Sequence, residues 1–438
     1  MKLSKYVRCV NYKDDVILYN TINHAIIQLP KETVENDILL DVLDEESVSS
    51  LGAMGYFSDT DMMVEQNLNS YLINDNKLFI SIELNLSCNL RCPYCYQSGE
   101  HNGKKIDKLN LDLLVDYIYK VHSKTSFTDL FVKILGGEPT LVWEDLEYIN
   151  ERLFQLCKLY GIKYHLLVDT NGTIIDKLIK LENYDSLLLT IPLTYKKCHD
   201  KVRFDANGQG TYEKIINNIN IIKDEKPNTK IVLRYNVDQD NISYFKSFLE
   251  DICESLRFKP LISVNYTAEL NGKSEYDNPL SYTDFVNWSS TIAIDNLLEM
   301  GLPITISPIV SIEECQFRSK YSMKLFSDGT VGSCAMDFFA KDRIKLSDLI
   351  EWFDADNEFW NRKIKQTILV DKSCLQCDSL FLCGGTNKLP CIQALDKTLC
   401  NKKLFSINLK DFLTRYVDSL ENGVSDLFVV FNDGESYR

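Results

Sequence analysis

No apolar run in this 438-residue sequence approaches the ~20 residues that a bilayer-spanning helix needs. The opening Met1-Lys-Leu-Ser-Lys-Tyr-Val-Arg8 has basic residues but no apolar stretch behind them, so secretion is not expected and a cytoplasmic location is. Positive charge is scarce: 48 Lys and Arg stand against 63 Asp and Glu, a net charge of −15. No Lys/Arg cluster interrupts that acidity, so neither a nucleic acid nor a membrane surface is an expected partner. Internal repeats and low-complexity linkers are also missing. What remains is ordinary globular material, 45% hydrophobic and 25% charged, enough for two or three domains.

Cysteine is the exception. There are fourteen, and ten fall into two groups, residues 88–95 and 315–400. Without a secretory signal, clustered cysteines point to metal rather than to disulfides. The other four, Cys9, Cys157, Cys198 and Cys253, are expected to be buried small apolar residues. The first group reads Cys88-Asn-Leu-Arg-Cys92-Pro-Tyr-Cys95-Tyr96 and follows a β-type run over residues 78–86. A loop of that spacing can wrap three corners of a [4Fe–4S] cubane and leave the fourth iron without a protein ligand. Electron-transfer clusters carry four cysteines; an open iron suits a cluster that binds a molecule and reacts with it. Cys88, Cys92 and Cys95 match the signature of the radical S-adenosylmethionine (radical SAM) superfamily, and the chain resembles its members. That resemblance implies a reduced cluster that chelates SAM and yields a 5′-deoxyadenosyl radical. An electron donor such as flavodoxin or ferredoxin is implied with it.

Residues 1–75 read as a separate module. Strand patterns over 6–10 and 16–19 flank Lys13-Asp-Asp15 as a hairpin, and residues 24–30 form a third strand. Helical spacing covers residues 31–43 and 45–54, with Gly55 as the C-cap. The module holds five Lys/Arg against thirteen Asp/Glu, which opposes DNA binding. Its winged-helix-like pattern is similar to leader-recognition domains of enzymes that modify ribosomally made peptides. Such domains bind a leader peptide by strand addition. A plain capping domain is the alternative.

From residue 78 strands and helices alternate. Strands are expected at 78–86, 130–135, 164–169, 186–193, 231–237 and 261–266. Helices are expected at 108–120, 143–160, 174–181, 212–223, 242–256 and 282–300. The expected fold class is therefore α/β, a parallel sheet curled into a partial (βα)6 barrel with ligands at the C-terminal strand ends. The second strand ends in Gly136-Gly137-Glu138-Pro-Thr140. The glycines permit close approach to the backbone, and Glu138 suits a ligand ammonium, although a Gly-rich turn reads the same way. The segment is similar to the superfamily motif that holds the SAM amino group. Thr170-Asn171-Gly172 resembles a segment near the SAM ribose. Arg203 is placed by resemblance near the SAM carboxylate, with a surface ion pair as the alternative.

Downstream come Cys315, Cys334, Cys374, Cys377, Cys383, Cys391 and Cys400, with an Asp-Gly hairpin turn over 326–331. A CxxC pair alone is compatible with a zinc knuckle. The sevenfold order resembles the SPASM domain, which carries auxiliary iron–sulfur clusters. The resemblance implies one [4Fe–4S] cluster on Cys374, Cys377, Cys383 and Cys400, and a second on Cys315, Cys334 and Cys391. The pattern departs at Asn387, where a cysteine is usual, and Cys391 is taken as the displaced ligand. A three-ligand cluster leaves an iron for water, for Glu314 or Asp337, or for a substrate thiolate; Asp337 is the one candidate catalytic side chain.

The expected organisation is a leader-recognition domain (1–75), a radical SAM barrel (76–305) and a SPASM domain with a C-terminal tail (306–438). The expected function is radical modification of a ribosomally synthesised peptide, with a thioether from cysteine sulfur to carbon as first choice. Carbon–carbon cross-linking, epimerisation and anaerobic sulfatase maturation are the alternatives. A metal-binding interaction protein is the non-enzymatic one.

Overall fold

In the computed structural model the described residues are 1–35, 38–39, 43–66, 76–95, 97, 103–267, 276, 278, 280–306, 316, 319–333, 343–354, 376–383 and 402–429. The amino-terminal sheet is antiparallel, in the order β1 (Val7–Tyr12), β2 (Asp15–Asn20), β3 (Ile26–Pro30). Lys13 and Asp14 turn the β1–β2 hairpin, and Lys13 takes the positive φ (51°) that a tight hairpin requires. β2 is apolar from Val16 to Tyr19 because both of its faces are covered. Val16 and Leu18 join Val7, Leu39, Leu51 and Tyr56 in a small local core, while Ile17 and Tyr19 face the main core.

The helix expected over 31–43 does not form among the described residues. A 3-10 turn (Lys31–Thr33) leads instead into two short paired strands, β4 (Val34–Glu35) and β5 (Ile38–Leu39). The β-branched Thr33 and Val34 favour extended backbone, and Leu39 closes the local core as a strand residue. Helix α1 (Glu45–Ala53) is capped by Asp44, whose carboxylate accepts from Ser47 N–H at 2.7 Å; Gly55 follows at φ +74°. A further helix, α2 (Asp59–Gln66), was not expected.

Among the described residues the main sheet has nine strands. Six are parallel and adjacent in chain order: β6 (Lys77–Glu83), β7 (Asp129–Leu135), β8 (Lys163–Asp169), β9 (Ser186–Pro192), β10 (Lys230–Val237) and β11 (Leu261–Tyr266). Helices α3 (Lys108–Thr125), α4 (Trp143–Tyr160), α5 (Lys196–Val202), α6 (Tyr212–Glu225) and α7 (Phe245–Ser255) lie in the crossovers. Alternate strand residues such as Leu130, Val132, Ile134, Leu166, Val168, Leu189 and Leu233 pack outward in one apolar core. The architecture is α/β with a large parallel sheet.

Two expected helices change. Residues 174–181 give only a 3-10 turn (Leu178–Lys180). The segment offers barely two turns, too little to offset the cost of helix nucleation, and burying Leu178 and Leu181 suffices to close the crossover. The helix over 282–300 breaks at Thr291 (φ −125°, ψ −86°) into α8 (Tyr282–Ser290) and α9 (Ile292–Glu299). Beyond it, β12 (Met323–Leu325) joins the far side of β6 in parallel. β13 (Thr330–Gly332) returns antiparallel through the Asp-Gly turn, and β14 (Ile344–Lys345) closes the edge before α10 (Leu346–Glu351). The hairpin was expected; its continuity with the barrel sheet was not.

Helix α11 (Leu380–Cys383) precedes α12 (Lys402–Glu421), which packs back on the main core through Leu409, Phe412, Leu413 and Val417. Arg415 grips Asp295 of α9 with two hydrogen bonds, 2.6 and 2.8 Å. Of the four scattered cysteines only Cys157 is buried; Cys9 and Cys253 are exposed, on the outer sides of β1 and α7, and Cys198 is intermediate. No helix among the described residues is long and apolar enough to cross a membrane.

Candidate active site

The cysteine loop leaves the C-terminal end of β6. Gly137 N–H donates to Asn85 O (2.9 Å) and Glu138 N–H to Ser87 O (2.7 Å), so the end of β7 runs directly against the backbone that leads into Cys88. A Cβ on Gly137 would lie 2.1 Å from Ser87 O, and one on Gly136 2.7 Å from Asn85 O. The backbone that approaches these glycines is the chain's own.

Glu138 is fully buried. Its Oε1 accepts from Thr140 N–H (3.1 Å), Thr140 Oγ1 (2.6 Å) and Thr170 Oγ1 (2.8 Å), and its Oε2 accepts from Asn171 N–H (2.6 Å). Burial pushes the carboxyl pKa up, and these donors oppose the shift. Glu138 thus fastens the end of β7 to the end of β8. Asn171 continues the chain of contacts: its Nδ2 donates to Asn89 Oδ1 (2.7 Å) and reaches Cys88 Sγ at 3.8 Å.

Cys88, Cys92 and Cys95 are partly buried and near enough to influence one another electrostatically. Burial raises the Cys88 thiol and pushes Cys95 up to about 11. Both would ligate as thiolates only with a cation to hold the charge. Among the described residues no three such side chains converge as ligands to one ion; a cubane asks for thiolates on separate irons. Arg203 is buried rather than in a surface ion pair. Its Nη1 lies 3.8 Å from Cys92 Sγ and 3.1 Å from the Tyr94 hydroxyl, while Nε and Nη2 have no hydrogen-bond partner among the described residues. Two orphaned guanidinium donors beside three thiols fit an anionic cluster and a ligand carboxylate.

The structure therefore brings Cys88, Cys92, Cys95, Gly136, Gly137, Glu138, Thr170, Asn171 and Arg203 to one end of the sheet. Cys377 is partly buried and Cys383 ends α11. Cys315, Cys334, Asp337, Cys374, Cys391 and Cys400 lie outside the described residues. Sequence reasoning passed over Tyr94 and Asn89, although both sit inside the cysteine loop. It also missed Glu83 and Lys324, a buried ion pair (3.0 Å) that joins the end of β6 to β12; a lysine between Met323 and Leu325 in a strand was the available signal.

Comparison with known proteins accords with this geometry. Residues 82–252 match the Radical SAM superfamily. The chain is 27% identical over 363 residues to a cysteine-type anaerobic sulfatase-maturating enzyme of Clostridium novyi (strain NT), covering 76% of this chain and 93% of that relative. The solved structure of native anSMEcpe with bound AdoMet superposes with a TM-score of 0.56 at 20% identity, over 80% of this chain and all of that one. Streptococcus suis SuiB, solved bound to precursor peptide SuiA, gives a TM-score of 0.50 at 15% identity, over 92% and 98%. The chain carries a radical SAM domain and is an enzyme. It is similar to cysteine-type anaerobic sulfatase-maturating enzymes and shares its fold with anSMEcpe and SuiB; SAM and a [4Fe–4S] cluster are the cofactors that the domain implies.

Proposed function

We propose that the chain modifies a ribosomally synthesised peptide by radical chemistry, with Cys88, Cys92 and Cys95 as ligands of the SAM-binding cluster. SAM bound to such a cluster supplies a 5′-deoxyadenosyl radical, which removes hydrogen from an unactivated carbon. The chain's residues orient and enclose that chemistry. Glu138, Thr170 and Asn171 frame the ligand side of the loop, Gly136 and Gly137 allow the loop to lie against β7, and Arg203 offers its free donors to a carboxylate. The single observation that carries the reading is the convergence of these residues at the C-terminal strand ends.

Residues 1–75 act as the leader-recognition domain, residues 76–305 as the barrel and residues 306–438 as the auxiliary-cluster domain. Contacts between the first and last support delivery of a peptide from one to the other. Arg8 of β1 donates to Ser379 Oγ (3.0 Å), beside Cys377, and the Tyr6 ring meets Phe381 of α11 edge-on at 5.0 Å. Cys374, Cys377, Cys383 and Cys400 would hold one auxiliary [4Fe–4S] cluster and Cys315, Cys334 and Cys391 a second, and these would supply an acceptor for the substrate's electron or a site for its sulfur. A small redox protein feeds the SAM-binding cluster. The product is a thioether between cysteine sulfur and a carbon. Sulfatase maturation, which oxidises a cysteine in a folding protein, has equal support from the 27% identity to the C. novyi enzyme.

Anaerobic reconstitution tests the core of the proposal. With dithionite and SAM, wild type forms 5′-deoxyadenosine and Cys92→Ser does not; formation by both ends the assignment. Mass spectrometry of a modified peptide separates the products: a thioether loses two hydrogens and keeps its sulfur, whereas sulfatase maturation loses the sulfur.

A further inference from the structure

The inner face of the barrel carries charges that the cofactor site does not use. Lys133 on β7, Asp169 on β8 and Arg234 on β10 point away from the outer core, on the alternate side from Val132, Val168 and Leu233. β7 and β10 are three strands apart in the sheet, yet both cations reach one oxygen, Asp169 Oδ2: Lys133 Nζ at 3.1 Å and Arg234 Nη2 at 3.4 Å. Only a strongly curled sheet permits that convergence. Below it, Phe79, Phe131 and His165 stack with centroid spacings of 4.8 and 4.3 Å and floor the lumen. Above it, Asn236, two residues on from Arg234, lies near enough to Tyr94 of the cysteine loop to influence its hydroxyl.

The triad is under-committed. Burial disfavours the Asp169 carboxylate, but Lys133 and Arg234 outweigh burial and hold its pKa below the ordinary range, so it is ionised. Among the described residues two cations, Lys133 and Arg234, then share this one anion. The Arg234 guanidinium makes one long contact instead of a two-bond fork, and its other N–H donors have no hydrogen bond among the described residues. The three side chains keep 30%, 22% and 27% of their surface open, in the order Lys133, Asp169, Arg234. A planar fork and an ammonium with uncommitted donors, partly buried on the inner face of the sheet, favour a carboxylate.

We propose that Lys133 and Arg234 form a receptor for a substrate carboxylate in the barrel lumen, beneath the cysteine loop, and thereby select which peptide segment enters. The proposal rests on the reading of the chain as a peptide-modifying enzyme. The carboxylate belongs to an acidic side chain or to a peptide C-terminus. Asp169 holds the two cations apart and oriented, and the ligand takes the donors that Asp169 leaves free.

The test uses the full chain, reconstituted anaerobically, and three labelled probes in equilibrium dialysis. N-acetyl-glutamate methylamide presents a side-chain carboxylate, N-acetyl-alanine a terminal one, and N-acetyl-glutamine methylamide neither. At least one carboxylate probe binds about tenfold or more tighter than the glutamine probe, and the tighter of the two identifies the source. Arg234→Met and Lys133→Met bring that ratio close to one. Lys246→Met, which removes the same charge from an outer-surface pair with Glu299, leaves it in place. Iron content and thermal melting check the variants; should Arg234→Met not fold, Arg234→Gln reads the same ratio. A wild-type ratio of one, or a ratio that survives both lumen substitutions, overturns the proposal. 5′-Deoxyadenosine formation by wild type is read separately. Carboxylate preference without SAM cleavage removes the radical reading and keeps the receptor; cleavage without preference removes only the receptor.

Discussion

The backbone N–H of Asn171 donates to the Glu138 carboxylate at 2.6 Å, across 33 residues of sequence. That bond, with the one from Thr170 to the same side chain, locks two neighbouring strand ends together beside Cys88. Removing the charge while keeping the shape is therefore informative. Glu138→Gln replaces one oxygen with an NH2 that faces donors in a buried site. It is expected to cost about 1–3 kcal/mol of stability, measured by urea denaturation, and to raise hydrogen exchange at Asn171. An unchanged midpoint would show that the carboxylate is dispensable as a fastener.

Lys324 and Glu83 make a second long-range relationship, completely buried on the lysine side and 3.0 Å apart. Ser327 Oγ donates to Glu83 Oε1 (3.1 Å) and Gln97 Nε2 to Oε2 (3.3 Å), so the pair ties the cysteine loop to the β12–β13 hairpin. Lys324→Met leaves a buried carboxylate without its counter-charge, and a loss of about 3–5 kcal/mol is expected. Adding Glu83→Gln should recover part of that loss, because the uncompensated charge is gone. Additive losses in the double variant would count against direct coupling.

Gly137→Ala would place a methyl group 2.1 Å from Ser87 O, a backbone atom that cannot rotate away. The loop must shift, and iron bound after anaerobic reconstitution should fall well below wild type. Gly52→Ala is the matched control, since its Cβ would meet only ordinary contacts at 3.6 Å or beyond.

His199 supplies a pH dependence away from the cysteine loop. Thr194 N–H donates to its Nδ1 (3.4 Å), and Nε2 stands 3.2 Å from Thr211 Oγ1. Burial, then the Arg203 charge, holds the imidazole pKa well below its ordinary value, so the folded state keeps it neutral. The unfolded chain takes up the proton near pH 6.5 and the folded chain only at lower pH. Stability is therefore fully present above about pH 6.5 and lost as pH falls below it, by up to ~1.4 kcal/mol per pH unit from this group. Chemical denaturation at pH 7 and pH 5.5 should show a smaller loss in His199→Gln than in wild type; equal losses would remove His199 as the cause.

The cysteine spacing, the strand–helix alternation and the Gly-Gly-Glu segment were legible in the sequence because each is a local pattern. Period-two apolar strands and capped helices follow from residues a few positions apart. The errors were also local patterns, overruled by packing. Residues 31–43 have helical spacing, but Leu39 was needed by a sheet-side core. Residues 174–181 were too short to repay nucleation. The scattered cysteines could not be sorted, since whether Cys9 or Cys157 faces the core depends on which neighbours cover that face.

The sequence by itself determined the chemistry of this protein: three thiols on one loop, a glycine pair and a glutamate one strand later, and an acidic chain around them. A thiol ligates and a carboxylate accepts hydrogen bonds wherever they stand. Only the tertiary structure decided what those groups address. It turned Glu138 inward to Thr170 and Asn171, buried Arg203 beside Cys92, and curled four strands until Lys133 and Arg234 met over Asp169. Such partners are tens of residues apart, and no local preference of the chain encodes the curvature that brings them together.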